Sequence, residues 1–567
     1  MNPTEMPTDL EIARAATPRP IEDVAADMGV PPEFVEHFGR QVGKVSLGAL
    51  DAMGPPRAKY ILVTATNPTP LGEGKTTTAV GLAQGFTHIG RRSVVTLRQP
   101  SLGPTFGIKG GAAGGGYSQV IPMEEMNLHL TGDFHAVTAA NNLLAALIDN
   151  HLYQGNQLSL RLHGITWRRV IDVNDRSLRD NVIGLGTATD GIPRETGWDI
   201  TAASELMAIL GLAGDLRDLR ERLGRTVVGY DRHRRPVTAE QIQGAGAMAV
   251  LLKDALAPNL LQTLEGTPAL VHTGPFANIA HGNSSIVADY VGIRGGDYLI
   301  TEAGFGADIG AEKFFNLKCR ASGLEPDAAV VVTTVRAMKV HSGKYAIKAG
   351  RPLPAALLEE NPDDVRAGAA NLRHHIGIVR RHGVTPVVAI NAFPSDHPSE
   401  HRVIAEVAEE EGVRWAIAEP YTRGGAGMTD LARVVEEAAS DGSQFRLLYP
   451  DDLSLHAKIE TIATEVYGAA AVKFDSRAEK QLARYERLGW GHLPICMAKT
   501  QYSLSHDPSL LGEPKGWTLP VREVQASIGA GFVLPLTGTI RRMPGLGAHP
   551  AAHSIDIDED GNVVGLS

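Results

Sequence analysis

The chain has 567 residues, two cysteines and a formal net charge of −10. This length exceeds what one hydrophobic core organises, so we expect two or three domains. The acidic balance argues against a dedicated nucleic-acid binder, and two cysteines argue against a disulfide framework and favour a reducing cytoplasm. No apolar run approaches the roughly 20 residues that span a bilayer, and the N-terminus lacks the apolar stretch of a signal peptide, so we expect no role for a membrane.

The first twenty residues are polar and are expected to form a loose arm, which a short helix follows from residue 21. A strand is predicted at 60–65, then a glycine loop and a helix, and a second strand at 93–97. Strand, helix and strand at this spacing predict a βαβ unit in a parallel sheet. Further apolar runs, typical of strands buried on both faces, lie at 298–301, 329–335 and 386–390. Helical patterns lie at 202–212, 245–256 and 365–381.

These elements predict an α/β protein with a P-loop NTPase-like, doubly wound and mostly parallel sheet, a second α/β domain and a small C-terminal β element. The hairpin signal Asp560-Gly561 supports the last of these. The expected boundaries are 1–370 for the nucleotide-binding domain, which contains a Gly-rich insertion at 98–142, 371–540 for the second domain and 541–567 for the β element.

Residues 67–78 follow the predicted strand and open the predicted helix, which is the context of a phosphate-binding P-loop. Glycines allow backbone N–H groups to turn toward phosphate oxygens, Lys75 reaches the outer phosphates, and the Thr76 hydroxyl suits Mg²⁺. Thr69 stands where the usual loop has its first glycine, and an accidental glycine turn that caps a helix is the alternative. The predicted nucleotide-binding residues are Thr69, Pro70, Leu71, Gly72, Glu73, Gly74, Lys75, Thr76 and Thr77.

Two charged residues follow other predicted strands. Arg98 comes directly after the strand at 93–97, and since ligands of doubly wound sheets bind beyond the carboxyl ends of strands, it should face the site beside Lys75. Its forked guanidinium suits a carboxylate or an acyl phosphate, whereas a surface arginine is the alternative. Glu302 follows the strand at 298–301 and is expected to reach Mg²⁺ directly or through water, with a loop or helix-capping carboxylate as the alternative.

Several other residues have both a functional and a structural interpretation. Phe393 follows a predicted strand and Tyr421 lies near two glycines, so the two rings could hold a flat heterocycle or simply pack. Asp133 in a Thr-Gly-Asp turn could bind a ligand or form the turn. The four histidines His129, His135, His272 and His281 lack compact ligand spacing, which favours structural or substrate hydrogen bonding over a metal site.

Longer stretches of the chain resemble formate–tetrahydrofolate ligases. The loop at 69–77, including its missing first glycine, and the block at 97–142 carry this resemblance, and the block contains Arg98-Gln99-Pro100-Ser101-Leu102-Gly103-Pro104 and a Gly-rich run at 107–117. Further matching motifs, which extend the resemblance over essentially the whole chain, lie at 302–308, 332–343, 391–396, 496–502, 535–538 and 543–546. The chain differs at Tyr421, where similar proteins often carry tryptophan, which changes one stacking contact.

The resemblance implies that ATP activates formate as formyl phosphate and that N10 of tetrahydrofolate then takes the formyl group, giving 10-formyltetrahydrofolate, ADP and phosphate. It implies Lys75 and Arg98 as catalytic residues, with Thr76 and Glu302 at Mg²⁺. The folate-binding residues that it implies are Asp133, Phe305, Phe393, Pro394 and Tyr421.

With the resemblance come Mg-ATP, an activating monovalent cation (K⁺ or NH₄⁺), folate with or without a polyglutamate tail, and a cytoplasmic homotetramer. No nucleic acid is expected as a partner. Two alternatives stay open: a different ATP-dependent ligase that activates carboxylates, and a nucleotide-gated assembly protein without ligase chemistry. A fused dehydrogenase/cyclohydrolase region is not expected, because the family match uses the full length.

Overall fold

The computed structural model describes residues 6–70, 72–109, 113–275, 281–345, 347, 353–538 and 540–566. Apolar β-branched runs form most of the longer strands. In chain order the strands are β1 (Val35–Phe38), β2 (Val42–Val45), β3 (Lys59–Ala65), β4 (Ser93–Leu97), β5 (Gly114–Gly115), β6 (Ser118–Ile121), β7 (Leu160–Ile165), β8 (Arg169–Ile171), β9 (Asn181–Ile183), β10 (Arg194–Thr196), β11 (Trp198–Ile200), β12 (Val227–Asp231), β13 (Pro236–Thr238), β14 (Asn259–Thr263), β15 (Pro268–Val271), β16 (Tyr298–Glu302), β17 (Ala328–Thr333), β18 (Thr385–Asn391), β19 (Arg414–Ala418), β20 (Ala471–Phe474), β21 (Thr518–Val521), β22 (Glu523–Ser527), β23 (Phe532–Leu536), β24 (Asp556–Ile557) and β25 (Val563–Val564).

The helices lie between and around these strands. In chain order they are α1 (Asp9–Ala15), α2 (Ile21–Asp27), α3 (Ala49–Ala52), α4 (Lys75–His88), α5 (Leu102–Pro104), α6 (Met123–Asn127), α7 (Asp133–Tyr153), α8 (Glu205–Leu212), α9 (Leu216–Arg225), α10 (Ala245–Leu252), α11 (Ile286–Gly295), α12 (Arg320–Ser322), α13 (Val335–His341), α14 (Ala355–Leu358), α15 (Pro362–Ala367), α16 (Ala369–Arg381), α17 (Pro398–Glu410), α18 (Pro420–Arg423), α19 (Thr429–Ser440), α20 (Leu455–Thr461) and α21 (Ser476–Arg487).

The central sheet is mixed and mostly parallel. Its main strand order is β1-β2-β14-β15-β4-β16-β3-β17-β18-β19, and β6 joins it at β14. The strands from β15 to β19 in this order all pair in parallel, whereas β1, β2 and β14 pair antiparallel. The predicted βαβ unit is confirmed as β3, α4 and β4, although β16 lies between the two strands.

Both faces of the sheet are covered, which explains why its parallel strands read as continuous apolar runs. Along β3, Tyr60 and Leu62 belong to one core cluster, and Ile61 and Val63 belong to the other. The helices α11 and α16 contribute to the first cluster and α4 and α19 to the second. The chain is therefore an α/β protein with helices on both faces of a large sheet, as the sequence predicts.

A further group of helices, α7 to α10, has its own core cluster and packs beside the short sheet of β13, β12 and β7. The central sheet contains strands from both sides of residue 370, because β18 pairs with β17 and β19 pairs with β18. The boundaries at 370 and 540 stay predictions. The predicted C-terminal hairpin is confirmed, because β24 and β25 pair antiparallel around Gly561, which has a φ of +82°.

One local expectation is wrong, and a second holds except at the start of its helix. Residues 6–20 are not a loose arm throughout, because α1 begins there with Thr8 and Glu11 in a reciprocal capping box. The helical pattern at 202–212 is broken near its start, since residues 201–203 form a 3₁₀ turn and Ser204 caps α8. In both places a short polar side chain that binds backbone N–H groups decides where the helix begins.

Candidate active site

The carboxyl ends of six adjacent parallel strands hold most of the predicted functional residues, with Asp133 on α7 as an exception. The strand order β4-β16-β3-β17-β18-β19 sets them side by side over about 24 Å, at roughly 4.8 Å per strand. The groups that follow these strands, in that spatial order, are Arg98, Glu302, the loop at 66–74, Thr334, Asn391 and the segment leading to Tyr421. Residues that are hundreds of positions apart in the sequence therefore share one edge.

The phosphate loop starts from a rigid anchor at Asn67, which is fully buried. The Asn67 backbone N–H donates to Nε2 of His375 (3.0 Å), and its carbonyl accepts from Nε2 of His341 (2.9 Å). Its side-chain amide donates to Asp308, whose carboxylate pairs with the buried Lys499 at 2.7 Å. Burial lowers the pKa of His375 to about 3, so its ring is neutral at pH 7 and its nitrogen can accept the Asn67 N–H.

The loop itself has the backbone that its glycines predict. Gly72 and Gly74 have φ values of +77° and +69°, a region that side chains with a Cβ avoid. Glu73 points inward and is 1% exposed, and its carboxylate accepts from the Thr69 N–H (2.8 Å) and the Thr334 hydroxyl (2.7 Å). Gly74, the N-cap residue of α4, has no side chain to cap the helix, and the first N–H groups of α4 lie at the end of the loop.

A contact from β18 holds the end of the loop. The side-chain amide of Asn391, at the end of β18, donates to the backbone carbonyl of Glu73 (3.1 Å). A Cβ added at Gly74 would lie 2.4 Å from that amide nitrogen. Glycine is therefore favoured at 74 both by the backbone conformation and by the space that the Asn391 amide leaves. Leu71, which the sequence predicts as part of this loop, lies outside the described residues.

Arg98 and Glu302 meet beside the loop. The Thr76 hydroxyl, on the first turn of α4, donates to Glu302 at 2.7 Å, and Nε of Arg98 lies 3.7 Å from the other Glu302 oxygen. Arg98 also donates to the carbonyl of Pro275 at 3.4 Å. Its Nε is buried and has no hydrogen-bond partner among the described residues. A buried N–H without a partner is costly, which favours an anion at this point when substrate is present.

The hydroxyl of Thr76 and the carboxylate of Glu302 are hard oxygen donors, which is the ligand set that Mg²⁺ prefers. They already converge beside the phosphate loop, so these residues fit the predicted metal position. Clusters of three or more potential ligands among His, Cys, Asp and Glu were found nowhere in the described parts of the chain. The remaining ligands of Mg²⁺ at this position would therefore be phosphate oxygens and water.

The two rings predicted to hold a flat heterocycle, Phe393 and Tyr421, have different surroundings. The ring of Phe393 is covered by the guanidinium of Arg336, 3.6 Å from the ring centroid. Tyr421 is 41% exposed, and its hydroxyl donates to Asp9 of α1 at 3.1 Å. The ring lies against the glycine-rich run, where a Cβ on Gly116 would come within 2.0 Å of the Tyr421 carbonyl. Part of that run therefore serves the close approach of two backbones, while residues 110–112 lie outside the described residues.

The other predicted folate residues differ in accessibility. Asp133 begins α7 and is 3% exposed, and it pairs with the buried ammonium of Lys44 (2.8 Å) while accepting from the Asn259 amide (2.7 Å). Phe305 has a positive φ of +62° after the β16 end, a strained conformation for a large side chain. Pro394 is exposed. Their contacts with folate stay predictions.

Sequence reasoning missed four residues of this edge: Asn67, Thr334, Arg336 and Asn391. The rule that predicted Arg98, that ligands bind beyond the carboxyl ends of parallel strands, would also have predicted Thr334 and Asn391, because each lies at or just after the end of a buried strand. Asn67 follows β3 by two residues and Arg336 follows β17 by three, within the stretches 67–78 and 332–343, but the contacts that give them a role join elements that are far apart in the chain. Of the four histidines, His129 and His135 hydrogen-bond each other, and His272 binds Ser285 and the Ala255 carbonyl. Nε2 of the buried His281 has no hydrogen-bond partner among the described residues, so the choice between structural and substrate hydrogen bonding stays open.

The fold and the edge define an α/β protein with a glycine-containing loop between strand and helix and with charged residues on the neighbouring strand ends. The family model described as formate–tetrahydrofolate ligase matches residues 7–567. The chain therefore belongs to the formate–tetrahydrofolate ligase family, an enzyme family, which confirms the resemblance drawn from its motifs.

Individual relatives agree with this assignment. A formate–tetrahydrofolate ligase of Saccharopolyspora erythraea is 62% identical over 563 residues, which cover 99% of this chain and 100% of the relative. Formate–tetrahydrofolate ligase 3 of Rubrobacter xylanophilus is 63% identical over 572 residues, with 99% and 100% coverage. The same enzyme of Cutibacterium acnes is 59% identical, with 99% and 100% coverage. Across the described ranges, the helices all fall short of the length and apolar character that crossing a membrane requires.

Proposed function

We propose that this protein joins formate to N10 of tetrahydrofolate and converts ATP to ADP and phosphate, with formyl phosphate as the intermediate. The observation that carries the proposal is the group of Arg98, Glu302 and Thr76 beside the phosphate loop, in which the buried Nε of Arg98 lies 3.7 Å from Glu302 and has no hydrogen-bond partner among the described residues. An anionic substrate that lies between Arg98 and the loop supplies that partner.

In the first step, an oxygen of formate attacks the γ-phosphorus and ADP leaves, so that formate becomes an acyl phosphate. Negative charge must be balanced during this transfer, and positioned cations do most of that work. Lys75 and the N–H groups of α4 act on the phosphates, and Arg98 holds formate at the neighbouring strand end. Mg²⁺, bound at Thr76 and Glu302, would supply further neutralisation of the phosphate charge.

In the second step, N10 of tetrahydrofolate attacks the formyl carbon, the C–O bond to phosphate breaks, and the N10 proton passes to the departing phosphate or to water. Arg98 stabilises the charge that returns to the phosphate. We propose that Phe305, Phe393, Pro394 and Tyr421 bind the folate rings. Asp133 stays in this set as a proposal, and its ion pair with Lys44 gives it a structural role as well.

The relation to P-loop NTPases is also part of this proposal. It is supported by the loop between β3 and α4, its two left-handed glycines and the neighbouring acidic residue on β16. The activating K⁺ or NH₄⁺, the homotetramer, the cytoplasmic location and the use of polyglutamylated folate rest on family resemblance alone and stay predictions.

The fate of the formate oxygens tests the intermediate. With ¹⁸O-labelled formate, the first step transfers one formate oxygen to phosphorus, and that oxygen leaves with inorganic phosphate in the second step. We expect one labelled oxygen per phosphate, measured by mass spectrometry, and unlabelled phosphate would rule out formyl phosphate.

Variants test the two cationic residues. Lys75→Ala and Arg98→Ala should each lower turnover by about a hundred-fold or more, the effect of removing one group that stabilises developing charge. Arg217→Ala is the matched control, because that side chain is 89% exposed and, among the described residues, pairs only with Glu221 of its own helix. Near-normal turnover of Arg98→Ala, with thermal unfolding unchanged, would remove the role proposed for this arginine.

A further inference from the structure

Asp9 of the N-terminal helix α1 contacts Tyr421, although the two residues are 412 positions apart in the chain. Leu10 of the same helix is buried in the core cluster to which α4 belongs. The side-chain amide of Gln119 donates to the backbone carbonyl of Asp9 at 2.9 Å. The helix is therefore fastened to the residues that follow the glycine-rich run, and Asp9 stands at its first position.

One oxygen of the Asp9 carboxylate accepts two hydrogen bonds. The donors are the backbone N–H of Gly116 (2.8 Å) and the hydroxyl of Tyr421 (3.1 Å). Hydrogen bonds to a charged acceptor are stronger than those to a neutral one. Burial raises the pKa of Tyr421 to about 12, and the negative charge of Asp9 adds to this change, so the hydroxyl keeps its proton and remains a donor at pH 7.

The glycine-rich run supports the same tyrosine from one side. The backbone N–H of Tyr117 donates to the Tyr421 carbonyl at 2.9 Å. A Cβ added at Gly115 would lie 3.1 Å from the Tyr421 ring, and one added at Gly116 would lie 2.9 Å from it. The ring therefore packs against these two glycines, and a ligand can reach only the part of Tyr421 that stays exposed, which is 41% of the residue.

The contact between hydroxyl and carboxylate matters because the ring is partly exposed. A side chain that turns about its Cα–Cβ bond samples several rotamers, and a ligand that needs one of them loses binding free energy when it selects that rotamer. The hydrogen bond to Asp9 holds the ring in one rotamer before a ligand arrives. A flat heterocycle then meets a ring that already has its final orientation, which strengthens binding without any contact between Asp9 and the ligand.

We propose that Asp9 is a positioning residue for tetrahydrofolate: it holds the Tyr421 ring in the orientation on which a folate ring stacks, so that the N-terminal helix is part of the folate site. The inference rests on the proposed function, because it takes Tyr421 as a folate-binding residue. The strand order sets Tyr421 and Arg98 at opposite ends of the row of strand ends. Loss of the Asp9 contact should therefore raise the KM for tetrahydrofolate and leave kcat nearly unchanged.

Steady-state kinetics test the inference, with tetrahydrofolate varied at saturating Mg-ATP and formate. For Asp9→Ala we expect the KM for tetrahydrofolate to rise roughly three- to ten-fold, the range for one hydrogen bond, and kcat to stay within about two-fold. Asp9→Asn keeps a side-chain oxygen that accepts hydrogen bonds, so it should restore most of the normal KM. Asp23→Ala is the control and should have a normal KM, because Asp23 is exposed and lies in the first turn of α2 as Asp9 does in α1.

Variants of Tyr421 show whether Asp9 acts through the ring. Tyr421→Ala should raise the KM for tetrahydrofolate roughly ten-fold or more, the loss of one stacking contact. Tyr421→Phe keeps the ring but lacks the hydroxyl, so it should raise the KM about as much as Asp9→Ala does. Adding Asp9→Ala to Tyr421→Phe should raise the KM little further, because both changes remove the same hydrogen bond. Tyr421→Phe also leaves the contacts of Asp9 with Gly116 and Gln119 in place, so it tests the inference even if Asp9→Ala loosens the helix.

The outcomes separate this inference from the proposed function. If the unchanged protein forms product, but Asp9→Ala and Tyr421→Phe keep the normal KM or lower kcat instead, the positioning role is wrong and the ligase activity stands. Fully additive effects in the double variant would also contradict it, because Asp9 would then act by a route other than the hydroxyl. A normal KM for Tyr421→Ala would show that Tyr421 does not bind folate, which overturns this inference and that one assignment. If the unchanged protein forms no product from formate, tetrahydrofolate and ATP, the proposed function itself fails.

Discussion

Gly72 and Gly74 of the phosphate loop allow a test of the predicted nucleotide site, because the two glycines share a backbone conformation but differ in the space around them. Gly72 and Gly74 both have positive φ, so alanine at either position costs about 1–2 kcal/mol of backbone strain. An added Cβ at Gly72 meets nothing within 4 Å, whereas at Gly74 it would lie 2.4 Å from the Asn391 amide nitrogen. That amide must then move, and its hydrogen bond to the Glu73 carbonyl is lost, which adds about 1 kcal/mol.

We therefore expect Gly74→Ala to weaken binding of the Mg²⁺ complex of the β,γ-methylene ATP analogue by roughly five-fold more than Gly72→Ala, the factor for about 1 kcal/mol. Isothermal titration calorimetry measures both, and thermal unfolding checks that the fold is retained. Asn391→Ser alone should cost about the same 1 kcal/mol, and adding it to Gly74→Ala should change little, because the hydrogen bond is already lost. Equal weakening by the two alanine variants, or fully additive effects with Asn391→Ser, would refute this account of the loop.

Three other predictions concern buried charge, pH and the metal. Asp133→Leu should lower the free energy of unfolding by about 3–5 kcal/mol, because it leaves the buried ammonium of Lys44 without its carboxylate. The double variant Asp133→Leu with Lys44→Met should recover most of the lost free energy, as measured by urea denaturation. A double variant that is no more stable than Asp133→Leu would contradict the stabilising role of this ion pair. The pKa of His375 is lowered to about 3, so its neutral ring stabilises the fold fully above about pH 6.5, and this stabilisation is lost as pH falls from 6.5 toward 3, at up to about 1.4 kcal/mol per pH unit. His375→Gln should reduce that slope between pH 6.5 and 5, and an unchanged slope would show that this histidine does not titrate on unfolding. Thr76→Val should raise the Mg²⁺ concentration for half-maximal turnover roughly ten-fold, whereas the control Thr87→Val at the other end of α4 should leave it unchanged. If Thr76→Val and the unchanged protein need the same Mg²⁺ concentration, Thr76 is not part of the metal site.

The parts of the fold that the sequence predicts well are those with local causes. The strand at β3 and the helix α4 follow from an apolar run, two glycines and a helical pattern that are contiguous in the chain. The C-terminal hairpin follows from Asp560-Gly561, which favours one turn type. In each of these places the residues that decide the structure lie within about ten positions of each other.

The parts that the sequence leaves open depend on pairing between distant segments. Nothing near residue 370 indicates that the next strand, β18, continues the central sheet by pairing with β17. The arm before residue 20 contains a capping box that a search for Ser or Thr followed by Glu three residues later would have found. The ion pair of Lys44 and Asp133 joins residues 89 positions apart on different elements, and no local pattern specifies it.

The same division applies to the site. Lys75, Thr76 and Arg98 are predictable because the edge of a parallel sheet collects whatever follows its strands. The sequence could not show that Glu302 faces both Thr76 and Arg98, because that depends on β16 lying between β3 and β4. It also could not show that Arg336 covers Phe393, since that contact joins the ends of two strands whose order is fixed only by the complete sheet.

The central claim is that ATP cleavage and folate formylation are one reaction. The most direct measurement incubates the pure protein with Mg-ATP and quantifies ADP and 10-formyltetrahydrofolate after adding formate alone, tetrahydrofolate alone, and both. Equal amounts of ADP and 10-formyltetrahydrofolate, formed in quantity only when both substrates are present, are the predicted result. Sustained ATP cleavage without either substrate, or an equal reaction with another carboxylate in place of formate, would contradict the proposed function.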